Sequence, residues 1–287
     1  MTADVVGRFA PTPSGHMHLG NVFCALLAWL SARKAGGRII LRMEDLDPDR
    51  TSRDYADKLE ADLRFLGLDW DEGGSQGGPC GPYYQSGRTA LYEEALELLQ
   101  DMGLLYPCFC SRSQLHAAEA PHAADGDVIY DGRCRRLSPE EAAALAKSRR
   151  PSIRLRVPEE VVRFADGHYG VQEQNLAGEC GDFILRRADG VFAYQLAVAV
   201  DDAAMGVTQV VRGRDLLSST PRQLYLLRHL GARTPAYCHT PLLLAPDGRR
   251  LSKRDADRGL DALRERGMTA ADIVGRLACA AGLLERP

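Results

Sequence analysis

The segment from Val5 to Met43 constrains the fold more than any other part of the chain. Val5–Phe9 is a short apolar run, Ala10–Gly20 is rich in proline and glycine, Asn21–Ala35 is an apolar helical stretch, and Arg38–Met43 is rich in large aliphatic residues. A strand, a loop, a helix and a second strand within about forty residues form a βαβ unit, whose two strands lie in a parallel sheet. The sequence therefore predicts an α/β protein built on a parallel sheet.

Further helices and strands are expected along the chain. Apolar residues at helical spacing predict helices at Asp54–Leu66 and Arg88–Met102. The other predicted elements are strands at Pro151–Val157 and Thr208–Val211, two strands within Asp182–Val200 around the turn Ala188-Asp189-Gly190, a helix beginning near Ser219, and a short helical portion at Gly259–Leu284. Residues 106–150 differ from their surroundings in cysteines, histidines, short loops and an Ala/Glu-rich helix near Pro139–Lys147, so we interpret them as an insert.

Composition excludes several classes of protein. The chain has 287 residues, of which 45% are hydrophobic and 26% charged, and these are ordinary values for a globular protein with a sizeable core. It contains no apolar run of about eighteen residues, and its N-terminus does not resemble a secretory signal, so we expect a cytoplasmic protein without a membrane span. A formal charge of −3 argues against a protein that coats DNA or RNA through bulk electrostatics. A basic face remains open, because Arg249–Arg258 and Lys147–Arg156 are locally rich in Arg and Lys.

The first loop is a candidate anion site. In an open parallel sheet, ligands bind beyond the carboxyl ends of the strands, and Ala10–Gly20 occupies that place after the first strand. The helix that begins near Asn21 offers backbone N–H groups, and His18 can donate to a phosphate. In isolation, a Pro/Gly turn with two surface histidines is the better explanation of the loop, and no G-x-G-x-x-G or Walker pattern is present.

Three segments together resemble the class I glutamyl-tRNA synthetases. Residues 8–15 (RFAPTPSG) with residues 18–21 (HLGN) resemble the HIGH region of that family. Residues 42–47 (RMEDLD) are similar to its R-x-E-D-x-D segment, and residues 250–254 (RLSKR) to its KMSKS loop. The chain departs from the family at Asn21, where HIGH ends in histidine, and at Arg250, where KMSKS begins with lysine. Neither departure removes His18 or Lys253, to which the resemblance assigns the chemistry.

The resemblance implies a fold and a domain order. The expected fold is the class I synthetase Rossmann-like parallel sheet with a zinc-bearing insert and a short helical C-terminal region. Residues 1–105 would form the first half of the catalytic domain, 106–150 the zinc-binding insert, 151–258 the second half with the KMSKS-like loop, and 259–287 the helical C-terminal region.

The resemblance also implies the substrate site. Lys253 and His18 would stabilise charge on the triphosphate from opposite sides, with Mg²⁺ bridging the phosphates. The residues implied in ATP binding are Pro11, His18, Gly20, Asn21, Arg250, Leu251, Ser252, Lys253 and Arg254. Those implied in glutamate binding are Arg8, Phe9, Ala10, Pro11, Thr12, Glu44, Tyr194 and Arg212. The arginines suit the two carboxylates of glutamate, and Glu44 suits its ammonium group.

Three clustered cysteines indicate a metal site. Cys108, Cys110 and Cys134 lie within one short stretch, and clustered thiols in a reducing compartment suggest a structural zinc. From the residues alone the fourth ligand is open, with His116, His122 and Asp131 as candidates, and three buried cysteines without a metal are a further alternative. The family resemblance implies Tyr130 instead, in the pattern Cys-x-Cys, Tyr, Cys.

The length of the chain indicates one group within the family that it resembles. Glutamyl-tRNA synthetases carry a C-terminal helical domain that grips the anticodon, and few residues follow the KMSKS-like segment here. In its domain organisation the chain therefore resembles the glutamyl-queuosine tRNA(Asp) synthetases. These are truncated paralogues that activate L-glutamate with ATP and transfer it to queuosine in tRNA(Asp). The alternatives are a short glutamyl-tRNA synthetase that charges the tRNA 3′ end, a HIGH-type ligase that joins an acid to a small amine, and a non-catalytic zinc-bearing RNA-binding module.

Overall fold

The structure is a computed structural model that describes residues 4–111, 129–244 and 259–286. Its strands are β1 (Val6–Phe9), β2 (Arg38–Leu41), β3 (Glu72–Gly73), β4 (Leu105–Cys108), β5 (Ser152–Leu155), β6 (Val161–Asp166), β7 (Gly170–Asn175), β8 (Phe183–Arg186), β9 (Gln209–Gly213) and β10 (Ala236–Thr240). Its helices are α1 (Leu19–Lys34), α2 (Arg53–Phe65), α3 (Thr89–Asp101), α4 (Pro139–Ala146), α5 (Tyr194–Ala204), α6 (Thr220–His229), α7 (Leu260–Glu265) and α8 (Ala270–Ala280). Within the described residues, no helix is both long and apolar enough to cross a membrane.

The chain divides into two compact units. The first unit is composed of Met1–Arg88, Gly206–Arg214 and Pro235–Pro287, and the second of Thr89–Met205 and Asp215–Thr234. Each unit is therefore assembled from segments that are distant in sequence.

Parallel strands form the centre of the first unit. β1 pairs with β2 in parallel, from Val6 opposite Arg38 to Phe9 opposite Leu41, and β2 continues to β3. β9 and β10 form a second parallel pair. β9 lies beside β1, because the Val6 N–H donates to Thr208 Oγ1 (2.8 Å) and the Thr208 N–H donates to the Val6 carbonyl (2.9 Å). The predicted βαβ unit and parallel sheet are confirmed.

One hydrophobic core holds this unit together. The buried face of α1, including Val22, Phe23 and Leu26, packs in the same cluster as residues of β2 and α2. The C-terminal helices contribute to it as well, through Leu260 of α7 and Ile273 of α8. The predicted helical C-terminal portion is thus present as two helices, and burial of their apolar faces ties them to the parallel strands.

The second unit is built differently. β4, β5 and β8 form an antiparallel sheet, and β6 and β7 form an antiparallel hairpin. Helices α3 and α5 are joined by a buried hydrogen bond in which the Tyr92 hydroxyl donates to Asp201 (2.9 Å). Asp201 is thus a buried helix residue with a structural partner.

One secondary-structure expectation was wrong. The second strand predicted within Asp182–Val200 is instead helix α5, which begins at Tyr194. Leu196, Ala197 and Val198 are all completely buried. The continuous apolar run of residues 196–200 fits a buried helix as well as a buried strand, so periodicity could not distinguish the two.

A buried carboxylate fixes the antiparallel part of the second unit. Asp182 is 4% exposed. It accepts hydrogen bonds from the Tyr106 hydroxyl (2.6 Å) and the Val157 N–H (2.8 Å), and Arg135 lies 3.4 Å away. Burial and this hydrogen bond raise the pKa of Tyr106 far above its usual value, so the hydroxyl keeps its proton and remains the donor.

We expect Asp182→Asn to lower the free energy of unfolding by about 1–3 kcal/mol, because the amide presents an N–H₂ group where donors now converge. The matched control is Glu173→Gln, in the exposed pair with Arg163 on the β6–β7 hairpin, which should cost about 1 kcal/mol or less. Chemical denaturation of the two variants checks this. Equal losses of unfolding free energy in the two variants would show that Asp182 contributes no more to stability than an exposed ion pair does.

Candidate active site and metal centre

His18 is the N-cap of α1, the first helix after the first loop. Its Nδ1 accepts from the Gly20 N–H (3.1 Å), and Asn21 Oδ1 accepts from the His18 N–H (3.3 Å). These reciprocal bonds form a capping box, which fixes both the backbone and the imidazole ring. Because Nδ1 is the acceptor, the neutral ring carries its hydrogen on Nε2 and offers a donor suited to phosphate oxygens.

The residues after His18 have structural reasons for their identity. A Cβ atom on Gly20 would lie 2.9 Å from His18 Cε1, so any larger residue would displace the ring. Asn21, which departs from the family motif, supplies the amide oxygen of the capping box. The helix begins at Leu19, two residues before the expected start, because His18 itself is the cap.

Backbone hydrogen bonds join the first loop to the second motif. The Arg42 N–H donates to the Phe9 carbonyl (3.0 Å), and the Glu44 N–H donates to the Pro11 carbonyl (2.9 Å). The loop residues Ala10 and Thr12 therefore flank Pro11 beside the segment that carries Glu44. The structure brings together the loop and the acid that sequence reasoning assigned to one site.

Glu44 has a buried cationic partner. Arg42 is completely buried, and its Nη2 lies 3.3 Å from Glu44 Oε1, whose side chain is 10% exposed. Asp45, the next acid of the motif, instead accepts from the backbone and hydroxyl of Ser86 (2.9 and 2.6 Å). A carboxylate that a guanidinium holds in place has further acceptor positions that suit a substrate ammonium group.

Arg8 and Arg212 lie on adjacent strands of the first unit. Both are 4% exposed, and Arg8 Nη1 donates to the carbonyl of Val211, the neighbour of Arg212 (3.4 Å). Arg212 Nε donates to His239 Nε2 (3.0 Å). Two buried guanidinium groups near the carboxyl ends of β1 and β9 give this edge of the sheet a strong preference for carboxylates.

Some of the expected site residues lie in the second unit or outside the described residues. Tyr194 is the first residue of α5 and belongs to the second unit. Arg250, Leu251, Ser252, Lys253 and Arg254 lie outside the described residues, as do the candidate zinc ligands His116 and His122.

The three clustered cysteines converge in the second unit, and their sulfur atoms all lie within 4.8 Å of one another. Cys110 Sγ is 3.6 Å from Cys134 Sγ, and the Tyr130 hydroxyl is 3.5 Å from Cys108 Sγ and 3.7 Å from Cys110 Sγ. Tetrahedral zinc with sulfur at about 2.3 Å and oxygen at about 2.1 Å would separate its ligand atoms by roughly 3.6–3.8 Å. These four side chains therefore fit a zinc ion.

Local structure holds Tyr130 in this position. Its backbone forms an isolated bridge with Gly181, where an added Cβ would lie 3.0 Å from the Tyr130 nitrogen. Its hydroxyl accepts from the Cys134 N–H (2.8 Å), and the Arg154 guanidinium lies 3.9 Å from its ring centre. The alternative ligand Asp131 instead pairs with Arg133 (2.7 Å).

Burial and mutual contacts shift the pKa values of Cys108, Cys110 and Tyr130. Burial raises the pKa of Cys110 to about 12 and raises the pKa of Tyr130 far above its usual value. For Cys108, burial raises the pKa, but the hydrogen bond with Tyr130 and the charge of Arg154 lower it more in sum. A divalent cation would supply the positive charge that allows several ligands to lose their protons together.

Sequence reasoning missed His239 and the part played by Arg42. His239 is completely buried at the carboxyl end of β10 and contacts Arg212. Its position near the end of an apolar stretch was a usable signal, since polar residues at such strand ends face ligand sites in parallel sheets. Arg42 was visible in the second motif, but its pairing with Glu44 requires the fold.

Comparisons with known proteins agree with this geometry. A model of the catalytic domain of class I tRNA synthetases (E and Q) matches residues 4–278. The glutamyl-Q tRNA(Asp) synthetase of Nitratidesulfovibrio vulgaris is 55% identical over 280 residues, which cover 97% of this chain and 86% of that protein. The glutamyl-Q tRNA(Asp) synthetase of Symbiobacterium thermophilum is 55% identical over 284 residues, covering 98% and 88%.

Solved structures give the same result. The crystal structure of the glutamate-tRNA synthetase from Elizabethkingia anophelis matches with a TM-score of 0.85 and 30% identity, over 99% of this chain and 64% of that one. This chain thus spans a little less than two thirds of that structure. With its two motifs joined at the carboxyl edge of a parallel sheet and a matching catalytic-domain model along nearly its whole length, the chain belongs to the class I tRNA synthetases (E and Q).

Proposed function

We propose that this enzyme is a glutamyl-Q tRNA(Asp) synthetase, which activates L-glutamate with ATP and transfers the glutamyl group to queuosine in tRNA(Asp). The observation that carries the proposal is 55% identity, over 97% of the chain, to a protein of that name. The buried arginines and the Glu44–Arg42 pair supply a pocket whose charges suit glutamate. The free thiols of the cysteine cluster suit a reducing compartment, and we place the reaction in the cytoplasm.

The reaction has two steps. A carboxylate oxygen of glutamate attacks the α-phosphorus of ATP, a new O–P bond forms, and pyrophosphate leaves to give glutamyl-adenylate. A queuosine hydroxyl then attacks the activated carbonyl, the ester forms, and AMP leaves. Neither step needs a covalent nucleophile from the protein, so catalysis consists of positioning and charge stabilisation.

The geometry of the first unit supports the substrate roles that we propose. Arg8 and Arg212 bind glutamate carboxylates, Glu44 receives the ammonium group, and the backbone of residues 9–12 forms one wall of the pocket. For Tyr194, in the second unit, we keep the glutamate-binding role that the family resemblance implies.

ATP binding is assigned to the first loop and the third motif. Pro11, Gly20 and Asn21 shape the loop around His18, whose Nε2–H donates to the phosphates. Residues 250–254 contribute Lys253 to the triphosphate. Mg²⁺ bound with ATP would neutralise phosphate charge.

For the second unit we propose a structural zinc held by Cys108, Cys110, Tyr130 and Cys134. Support comes from three separations of 3.5–3.7 Å between the ligand atoms, close to those of a tetrahedral site, and from Arg154, which offsets the negative charge of the ligands. Its role is to join β4 to the turn at Arg133–Arg136.

The function is tested by transfer of labelled glutamate. In the presence of ATP, we expect label on tRNA(Asp) that carries queuosine and none on tRNA(Asp) with unmodified guanosine. Removal of the terminal adenosine from the tRNA should leave the transfer unchanged, since the acceptor is the wobble nucleoside. Loss of labelling on that truncated tRNA would instead identify a synthetase that charges the 3′ end, and turnover on a small amine without RNA would identify an acid–amine ligase.

Lys253→Ala should lower glutamate-dependent ATP–pyrophosphate exchange by about a hundredfold, because one transition-state donor is lost. The matched control is Lys147→Ala, at the exposed C-terminal end of α4, which should leave the rate unchanged. Similar exchange rates in the two variants would remove Lys253 from the mechanism.

Tyr130→Phe should weaken zinc binding by more than about tenfold, because even the hydrogen-bond partners of metal ligands typically account for ten- to hundredfold. The variant keeps the ring under Arg154 and loses only the oxygen. Tyr106→Phe, whose hydroxyl bonds Asp182 instead, serves as the control and should bind zinc normally. Competition with a fluorescent chelator measures both. Unchanged affinity in Tyr130→Phe would exclude tyrosine as a ligand, and purified wild-type protein without zinc would exclude the site.

A further inference from the structure

Arg212 is held by two side chains of the neighbouring strand. In the parallel register of β9 and β10, Arg212 lies opposite His239. Arg212 Nε donates to His239 Nε2 at 3.0 Å, and its guanidinium carbon lies 5.3 Å from the ring centre of Tyr237. The rings of Tyr237 and His239 are nearly parallel, at 5° with centres 6.2 Å apart. Residues 237 and 239 share one face of β10, so they form a continuous wall against the guanidinium.

The hydrogen bond has a fixed direction. Arginine has only donors, so His239 Nε2 must be the acceptor and cannot carry a hydrogen. A hydrogen on that nitrogen would direct two N–H groups at each other in a completely buried place. The neutral ring, with its hydrogen on Nδ1, is therefore part of the arrangement that the structure contains.

This hydrogen bond determines the orientation of the Arg212 guanidinium group. A guanidinium is planar, and one hydrogen bond at Nε together with a ring beside the plane fixes both its rotation and its tilt. The Nε edge is committed to His239, so a carboxylate that binds in a two-pronged manner must use the edge formed by the two Nη nitrogens. Flexible arginines lose part of their binding energy when they become ordered, and an arginine already held in place avoids that loss.

We propose that His239 is a positioning residue for glutamate: by accepting from Arg212 Nε, it fixes the guanidinium in the orientation that binds a substrate carboxylate. The inference rests on the proposed role of Arg212 in glutamate binding. His239 acts through Arg212 and on the amino acid alone, so its loss affects glutamate affinity and leaves ATP affinity unchanged.

The experiment compares two amides of different length. The oxygen or nitrogen of a glutamine side chain reaches the place of histidine Nε2, whereas an asparagine side chain reaches only that of Nδ1. His239→Gln therefore keeps an acceptor for Arg212, and His239→Asn removes it. His239→Leu removes it with an apolar group, and His168→Asn, at an exposed turn of the second unit, is the control for a histidine-to-asparagine change.

The measurement is ATP–pyrophosphate exchange at varied glutamate and at varied ATP. We expect His239→Asn and His239→Leu to raise the KM for glutamate by about 10–100-fold, the range of a hydrogen bond to a charged group, with the KM for ATP unchanged. His239→Gln should restore most of the glutamate affinity, and His168→Asn should resemble the wild type. If His239→Leu fails to fold, the comparison of Gln with Asn decides the question.

Two results would overturn the inference. One is an unchanged KM for glutamate in His239→Asn, and the other is an equal rise for glutamate and ATP in both amide variants. Arg212→Lys separates this failure from failure of the proposed function. A large rise in its KM for glutamate alongside a normal His239→Asn refutes only the positioning role, whereas an unaffected Arg212→Lys, or wild-type protein without glutamate-dependent exchange, refutes the assignment of the site itself.

Discussion

The hydrogen bonds between the first loop and the second motif are the constraint on which the active site depends. β1 and β2 pair in parallel, and their pairing continues past the strand ends, where Arg42 donates to Phe9 and Glu44 donates to Pro11. The parallel register thus fixes Glu44 against the loop that ends in His18. An acid and the N-terminal end of a helix are brought to one edge of the sheet by main-chain bonds that do not depend on side-chain identity.

Charge balance explains why the pocket can be buried. Arg8, Arg42 and Arg212 are almost completely buried, and Glu44 of the second motif is held beside Arg42. Burying a charge is costly unless it is paired. Here Glu44, His239 and a backbone carbonyl are partners of the buried guanidinium groups. In the proposed function, the carboxylates of the amino-acid substrate add negative charge beside Arg8 and Arg212.

Local patterns predicted much of the fold, and their limits have identifiable causes. The βαβ unit could be predicted from the sequence because a loop with glycine and proline separated a strand from an apolar helix. Helix α5 was misread because its residues are buried on all sides, and the β6–β7 hairpin was not recognised although Asp166-Gly167 offered a turn signal. At the site, motif residues could be named in advance, but His239 could not, since its importance arises from a cross-strand register that only the fold reveals.

The same structure explains how the first and third motifs are connected. His18 forms an antiparallel bridge with Gly259, and the Leu260 N–H donates to the Met17 carbonyl (3.4 Å). Leu260 is 1% exposed and belongs to the core that also contains Met17, so this attachment is stabilised by burial as well as by hydrogen bonds. Gly259 follows residues 250–254 closely in the sequence. The loop that presents His18 is therefore bonded to the residues at the start of α7, which follow the third motif in the sequence.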